Sequence, residues 1–510
     1  MLIFALKIIK WNKMISSKRL KVLFVTSELF PFVKTGGLAD VSAALPLMLS
    51  ELGHEVRILV PKYGAIDNRR YKIHDVVRLK DLPVQIGDKQ VLFSLKSSFL
   101  PSQKVRVQIY FLDNPEYFGS RKSLYSDLLS GEEYPDNDER FMLLSKAVFE
   151  LISKLGWVPD IIHCNDWQTG LTPAFLKSVY KNEAKTESFK VLYTVHNFSS
   201  PGIFPKSTFK KTGLPEKMFS ENGVLHDGKL NFIKAGIVYS DCVNTVSEEY
   251  AKEVMKDKTI SGGLNAVLAK RKNDFYGLVN GIDVNVWNPE KDKFIPKNYS
   301  IKNIQDKVIN KKALAERFGL KFDENIPIIG IITRLTEVKG VDLIVSAFEK
   351  LMSMNLQIIL LGAGDKKLQI AIQKLSHKYS EKFASYIGFN DELAHLIEAG
   401  SDMFLMPSKY EPCGLNQLYS LVYGTIPIVR KTGGLADTVT KFDPETGEGT
   451  GFVFEKYSAT EMLKAVKEAL EMFQNKKVWQ KIMKNGMKSD FSWQSSAKKY
   501  IELYKTVLDS

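Results

Sequence analysis

The 510 residues include only three cysteines, Cys164, Cys242 and Cys413, with no Cys-x-x-Cys pair among them. That spacing provides neither a disulfide framework nor a thiolate zinc site, and it fits a reducing compartment, the cytoplasm. No stretch approaches the roughly 20 apolar residues that span a bilayer, so no membrane partner is expected. Residues 1–19 are apolar and basic by turns, but Lys7 and Lys10 interrupt the apolar run and no small-residue cleavage site follows, so no secretory signal is expected, and Met14 could equally be the start. Three enzyme signatures are also missing. There is no Gly-x-Ser-x-Gly elbow and no Gly-x-x-x-x-Gly-Lys-Ser/Thr loop. Gly362-Ala-Gly364-Asp365 falls short of a dinucleotide-binding signature, because Lys367 stands where its third glycine belongs. Serine hydrolysis, P-loop chemistry and hydride transfer are therefore disfavoured. The net charge of +13 comes from lysines spread along the chain. Without a long basic run or an aromatic-interleaved array, this reads as a solvated surface and not as a nucleic-acid site.

What is present is an ordinary globular composition, 44% hydrophobic and 25% charged, in a chain long enough for two domains of similar size. Short β-branched segments alternate with helical ones: a strand over 21–27, a helix over 38–52, then strands over 56–60, 105–111, 161–163, 191–195 and 242–246. Leu38, Val41, Leu45, Met48 and Leu52 recur at three- and four-residue spacing and give the first helix one apolar face. A polar, lysine-rich stretch from Asn288 to Lys312 reads as the interdomain connection. The alternation then restarts with strands over 328–333, 357–361, 384–387, 403–406 and 426–429, and the end of the chain is helical. The expected fold class is α/β, with parallel strands in two doubly wound domains.

The heptapeptide Lys-Thr-Gly-Gly-Leu-Ala-Asp occurs twice, at Lys34–Asp40 and at Lys431–Asp437. Each copy follows a candidate buried strand and precedes a candidate helix. A glycine turn in that setting lets backbone N–H groups approach an anion.

Other polar groups fall at predicted strand ends, where α/β sheets bind ligands. Arg334 and Lys339 suit a pyrophosphate, the guanidinium as a planar fork and the ammonium as a mobile point charge, with no metal needed. Asp166 and His196 end two further strands, and Glu411 sits on a Pro/Gly-bounded turn. Asp136 and Asp138 have the spacing of a cation-binding pair, but their context favours a turn entering a helix. Cys413 has no evident base beside it and reads as a packed side chain.

Taken together, Lys34-Thr-Gly-Gly, His163-Cys-Asn-Asp-Trp, Thr194-Val-His-Asn, Asn280-Gly-Ile-Asp-Val-Asn-Val-Trp-Asn, Arg334 with Lys339, and Glu411-Pro-Cys-Gly-Leu resemble bacterial glycogen synthase and plant starch synthase from about Leu20 onward. The resemblance implies a GT-B architecture, two Rossmann-like domains facing across a cleft. It implies retaining transfer of glucose from ADP-glucose to the nonreducing 4-hydroxyl of an α-1,4-glucan, with no cofactor and no metal. A UDP-glucose-dependent GT-B enzyme and a catalytically silent glucan-binding homologue are the alternatives. The expected divisions are an extension at 1–19, an N-terminal domain at 20–288, a linker at 289–312, a nucleotide-sugar domain at 313–485 and a helix at 486–510 that returns to the first domain.

By position, the resemblance makes Lys34, Gly36 and Gly37 a donor loop and Arg334 and Lys339 the diphosphate clamp. Glu411 would contact the donor glucose, and Asp166 and His196 would line the opposite wall. Asn280, Gly414, Leu415, Thr432, Gly433 and Gly434 would bind substrate, the last three adding donors toward the diphosphate, and Phe389 would stack on the adenine. Tyr419 stands where the wider GT-B group often has a second glutamate, and glycogen synthases of this type also lack it.

Overall fold

In a computed structural model, residues 19–182 and 189–510 are described. The readings made for the first eighteen residues, including the alternative start at Met14, lie outside them. The chain divides into two compact units. The first comprises residues to Asn244 with Ser261–Phe275 and Ala497–Ser510; the second comprises Thr245–Ile260 and Tyr276–Ser496.

In the first unit, β1 (Lys21–Val25) leads into helix α1 (Gly37–Glu51) and β2 (Glu55–Pro61). Then come β3 (Leu82–Ile86), β4 (Lys89–Phe99), β5 (Gln108–Asp113), helix α2 (Asn137–Leu155), β6 (Ile161–Asn165), β7 (Lys190–Val195), β8 (Cys242–Thr245) and β9 (Phe275–Gly277). The sheet order is β9-β8-β7-β6-β1-β2-β5-β4, continued by a short strand at His74–Asp75, with β3 paired to β4. Strands β7, β6, β1, β2 and β5 pair in parallel. Val22–Val25 are wholly buried, as helices covering both sheet faces require. From β1 the chain runs outward in one direction and from β6 in the other, so the topological switch lies between β1 and β6.

The expectation of parallel strands fails at one edge, where β4 is antiparallel to both β3 and β5. Its signal was present in the sequence: Leu82, Val84 and Ile86 are buried while Pro83 and Gln85 are exposed, a period of two that ends at Gly87, φ +56°.

The second unit opens with α3 (Glu248–Lys256). Later come α4 (Lys307–Arg317), β10 (Ile328–Ile332), β11 (Gln357–Gly362), β12 (Phe383–Ile387), β13 (Met403–Met406), β14 (Ile426–Arg430), α5 (Gly433–Thr438) and β15 (Phe452–Phe454). All six strands are parallel in the order β12-β11-β10-β13-β14-β15, so the switch lies between β10 and β13. The stretch read as a linker is packed within this unit, and the first long division falls at Phe275 and Tyr276 instead. Ile295, Tyr299 and Ile304 are buried, and Lys307 donates to the carbonyls of Glu398 (3.1 Å) and Ala399 (2.7 Å) and to Thr425 Oγ1 (2.7 Å). A lysine-rich composition looks solvated in sequence, but carbonyls at a helix end can satisfy a buried ammonium.

The final helix, α6 (Trp493–Asp509), begins in the second unit, and from Ala497 it belongs to the first. Tyr500 accepts a hydrogen bond from Asn244 (3.2 Å), and Tyr504 meets the buried His163 at Nδ1 (2.8 Å), while His163 Nε2 meets Thr194 Oγ1 (2.7 Å). Burial holds the His163 imidazole well below its ordinary pKa and therefore neutral. Removing the phenol leaves one ring nitrogen unpaired in the core, which costs about 1–3 kcal/mol. Tyr504→Phe is expected to lower the thermal midpoint by several degrees, and an unchanged midpoint in calorimetry would show that this hydrogen bond stabilises nothing.

Candidate functional site

At the C-terminal ends of β1, β6 and β7, three adjacent strands of the first unit, stand the first heptapeptide, Asp166 and His196. The heptapeptide loop already holds an anion of its own. The N–H groups of Thr35 (2.7 Å) and Gly36 (3.1 Å) and the Thr35 hydroxyl (2.5 Å) donate to the Glu28 carboxylate, as does Tyr125 OH (2.8 Å). Glu28 is buried, whereas Lys34, Thr35, Gly36 and Gly37 are exposed, and a Cβ added at Gly36 or Gly37 would meet only open space. Lys34 pairs with Asp40, the last residue of its own heptapeptide, at 2.8 Å.

Asp166 has φ +56° and ψ −178°, a backbone conformation that side-chain-bearing residues rarely adopt and that is concentrated at functional sites. Its carboxylate accepts the His196 main-chain N–H at 2.6 Å, so sequence-distant strand ends are joined through the backbone and not through the imidazole. The ring is set separately. Asn165 Nδ2 donates to the carbonyls of Val25 and His163, which leaves its Oδ1 to accept from His196 Nε2 (3.0 Å) and makes Nδ1 the acceptor nitrogen. Burial pushes the His196 pKa down to about 4 and that of Asp166 up to about 7. At neutral pH the histidine is uncharged, and the carboxyl lies near its midpoint.

In the second unit the residues gather at the switch between β10 and β13. Lys339, after β10, and Glu411, after β13, form an ion pair at 2.5 Å, and Ser408 Oγ donates to the same Glu411 oxygen at 3.2 Å. The pairing spans 72 positions of sequence and was not read from it. Arg334 is exposed, and its guanidinium makes no hydrogen bond or ion pair among the described residues. Gly414 takes a left-handed turn, φ +71°, ahead of Leu415. Phe389, following β12, is 79% exposed. Asn280 is buried with its Oδ1 unpaired, and its main-chain N–H bonds to Cys413, whose thiol burial pushes up to about 12. That agrees with a packed, unreactive cysteine.

The second heptapeptide differs from the expectation. Thr432, Gly433 and Gly434 are buried, and the Thr432 hydroxyl and the two glycine N–H groups are committed within the unit. The Thr432 hydroxyl (2.9 Å) and Gly433 N–H (3.1 Å) donate to Glu253 Oε1, and Gly434 N–H donates to the carbonyls of Glu411 (3.1 Å) and Pro412 (3.2 Å). Lys431 is exposed and pairs with Glu455. Glu253 was missed in the sequence because it sits in a strongly polar helix where a glutamate has no distinguishing signal.

Two other readings have clear outcomes. Asp136 and Asp138 turn to different partners, Arg121 at 2.9 Å and Lys211 at 3.0 Å, at the start of α2; they form the helix entry and do not converge. Tyr419 stacks on Trp287 at 3.8 Å, with His395 on the opposite indole face, so the position of the absent second glutamate is filled by packing.

The Asp166 carboxyl supplies a pH test. Unfolded, it ionises near its ordinary 3.8; folded, near 7. Between those values the folded protein keeps a proton that the unfolded chain has released, so this group's contribution to stability is lost as pH rises through the window. Asp166→Asn keeps one acceptor for the His196 N–H and cannot ionise. Its thermal midpoint relative to the native protein is therefore expected to be higher at pH 8 than at pH 4.5, and equal pH slopes in native and variant proteins would refute the shift.

Residues 21–270 match the family model described as the starch synthase catalytic domain, and residues 313–486 match glycosyl transferases group 1. The chain is 42% identical over 490 residues to a glycogen synthase of Geotalea daltonii, covering 96% of this chain and 99% of that protein. It is 41% identical over 495 residues to one of Thermosipho africanus, with coverages of 96% and 99%. The catalytic domain of starch synthase IV from Arabidopsis thaliana, solved bound to ADP and acarbose, superposes with a TM-score of 0.85 at 30% identity, covering 97% of this chain and all of that one. A sucrose-phosphate synthase from Thermosynechococcus elongatus shares the fold at 16% identity, with a TM-score of 0.59 and coverages of 96% and 100%. With both switch points carrying these polar side chains and relatives matching along nearly its whole length, the chain belongs to the glycogen and starch synthase family, hexosyltransferases of the GT-B fold.

Proposed function

We propose that this enzyme transfers glucose from ADP-glucose to the nonreducing 4-hydroxyl of an α-1,4-glucan in the cytoplasm, releasing ADP with retention at the anomeric carbon. The observation that carries the reading is the Lys339–Glu411 pair, with the uncommitted Arg334 in the same connection after β10, in a chain this similar to glycogen synthases. Departure of a nucleoside diphosphate builds negative charge on its terminal phosphate, and cations already in place stabilise that charge without reorganising. Arg334 offers its fork in full. The Lys339 ammonium has three donors, of which Glu411 occupies one, so it can bridge a phosphate oxygen and the carboxylate together. Glu411, held by that bridge, accepts from a hydroxyl of the donor glucose.

In the first unit, the neutral His196 offers the donor sugar an acceptor nitrogen or its main chain, and Asp166 fixes the strand end that carries it. Lys34, Gly36 and Gly37 form the open loop that receives the donor. Gly414 and Leu415 turn their N–H groups to the diphosphate, Asn280 and Phe389 complete the substrate contacts, and the acceptor hydroxyl attacks on the face the diphosphate leaves. Thr432, Gly433 and Gly434 serve through the Glu411 segment that they hold.

The deciding measurement is transfer of labelled glucose to glycogen from ADP-glucose and from UDP-glucose, each in excess EDTA. Transfer from ADP-glucose undiminished by EDTA is expected. Transfer from UDP-glucose alone, loss of activity in EDTA, or no product with either donor would each overturn a stated part of the proposal. Arg334→Ala and Lys339→Ala are expected to lower kcat by ~10²-fold or more with folding intact, as for other transition-state charge contacts; rates near native would remove the clamp.

A further inference from the structure

Glu253 lies in the last turn of α3; its Oε1 accepts both the Thr432 hydroxyl and the Gly433 N–H, and its Oε2 lies 3.2 Å from the same hydroxyl. The contact is one half of a reciprocal clamp. From α5, Asp437 accepts from Ser247 Oγ (2.6 Å) and from the Glu249 N–H (3.2 Å), closing the N-terminus of α3. Each helix thus receives a carboxylate from the other, and all of these residues belong to the second unit.

The clamped loop presses on the segment that bears Glu411. Gly433 has φ +43°, and a Cβ there would lie 2.1 Å from the Glu411 carbonyl oxygen; a Cβ on Gly434 would lie 1.9 Å from that of Cys413. No side chain fits between the two backbones. Gly434 N–H binds the Glu411 and Pro412 carbonyls, and at the preceding end of the segment Arg430 Nε donates to Ser408 O (2.8 Å). The path from Glu253 to Glu411 is therefore two hydrogen bonds and one backbone contact. Burial raises the Glu253 pKa above its ordinary value, as for a carboxyl enclosed in this way.

We propose that Glu253 is a positioning residue for the transfer reaction: by occupying the anion-binding face of the second glycine loop, it fixes the Thr432–Gly434 backbone against residues 411–413 and so sets the Glu411 carboxylate beside Lys339. This rests on the role given above to Glu411. The glycine loop acts as a buttress whose own anion is internal.

The test uses the full chain, with kcat and KM for ADP-glucose, ADP affinity by calorimetry, and thermal melts. Glu253→Ala removes the acceptor, and a reacting group displaced by a fraction of an ångström to 1 Å loses ~10- to 10²-fold in rate. A kcat lower by at least ~10-fold is expected, with ADP affinity within ~3-fold of native. Glu253→Gln keeps the one oxygen that receives both donors and is expected to recover most of the lost kcat. A folded Glu253→Ala protein with native kcat, including one with only a lowered melting point, would overturn the proposal, as would equal losses in the Ala and Gln variants. If Glu253→Ala does not fold, Thr432→Val carries the test: kcat several-fold down supports the proposal and native kcat overturns it. Glu411→Ala separates the two readings, because near-native activity there defeats the role of Glu411 itself, whereas an inactive Glu411→Ala beside a fully active Glu253→Ala defeats only this inference.

Discussion

A main-chain N–H turned inward at the end of a strand must find an acceptor, and that demand organises both halves of this protein. Glycine turns let the chain leave a parallel sheet sharply, but they expose donors in doing so. In each unit the response is a glutamate: Glu28 takes the donors of the first heptapeptide and Glu253 those of the second. With those donors satisfied, the loops are stiff, and the residues around them inherit fixed positions. Asp166 does the same work at the end of β6 by accepting the His196 N–H, at the expense of a strained backbone of its own.

The two heptapeptides are identical in sequence and unlike in setting. The first follows the leading strand of its sheet, at the switch point, and its Thr-Gly-Gly is exposed; the second follows β14, one strand away from its switch, and its Thr-Gly-Gly is buried. A duplication of one unit into the other would have placed both after the leading strand. Their likeness is better explained by a common local task, binding a carboxylate with a threonine hydroxyl and glycine amides. The steric need differs as well. Gly433 and Gly434 are required by a neighbouring backbone, whereas Gly36 and Gly37 have free space before them.

Much of this was legible in the chain. Five of the six strands of the second unit were read to within one residue and β15 was missed; a parallel strand covered on both faces is a short run of Ile, Leu, Val and Met bounded by polar punctuation, and β15 is only three residues long. Strand ends placed Asp166, His196, Arg334 and Glu411 beyond the C-terminal edges of their sheets. What escaped was long-range or masked by composition. The Lys339–Glu411 pair depends on β10 and β13 being neighbours, which no local pattern encodes. Lys307 and Lys311 looked like linker residues, because sequence shows a charge and not the carbonyls that surround it. Glu253 and Glu28 were invisible for the same reason, since a glutamate that caps a loop from a distance resembles any other.

The first unit is assembled from three separate pieces of chain, and its last piece, Ala497–Ser510, carries the tyrosines that hydrogen-bond to His163 and Asn244. Residues 276–496 stand between that piece and the rest of the unit. During translation at ~5–20 residues per second, the nascent first unit waits on the order of ten to forty seconds with a buried histidine and asparagine lacking their phenolic partners. The second unit, contiguous from Tyr276 to Ser496 and already supplied with α3, emerges entirely within that interval. The order of synthesis and the order of completion are thus reversed, and the half of the molecule made first is the half finished last.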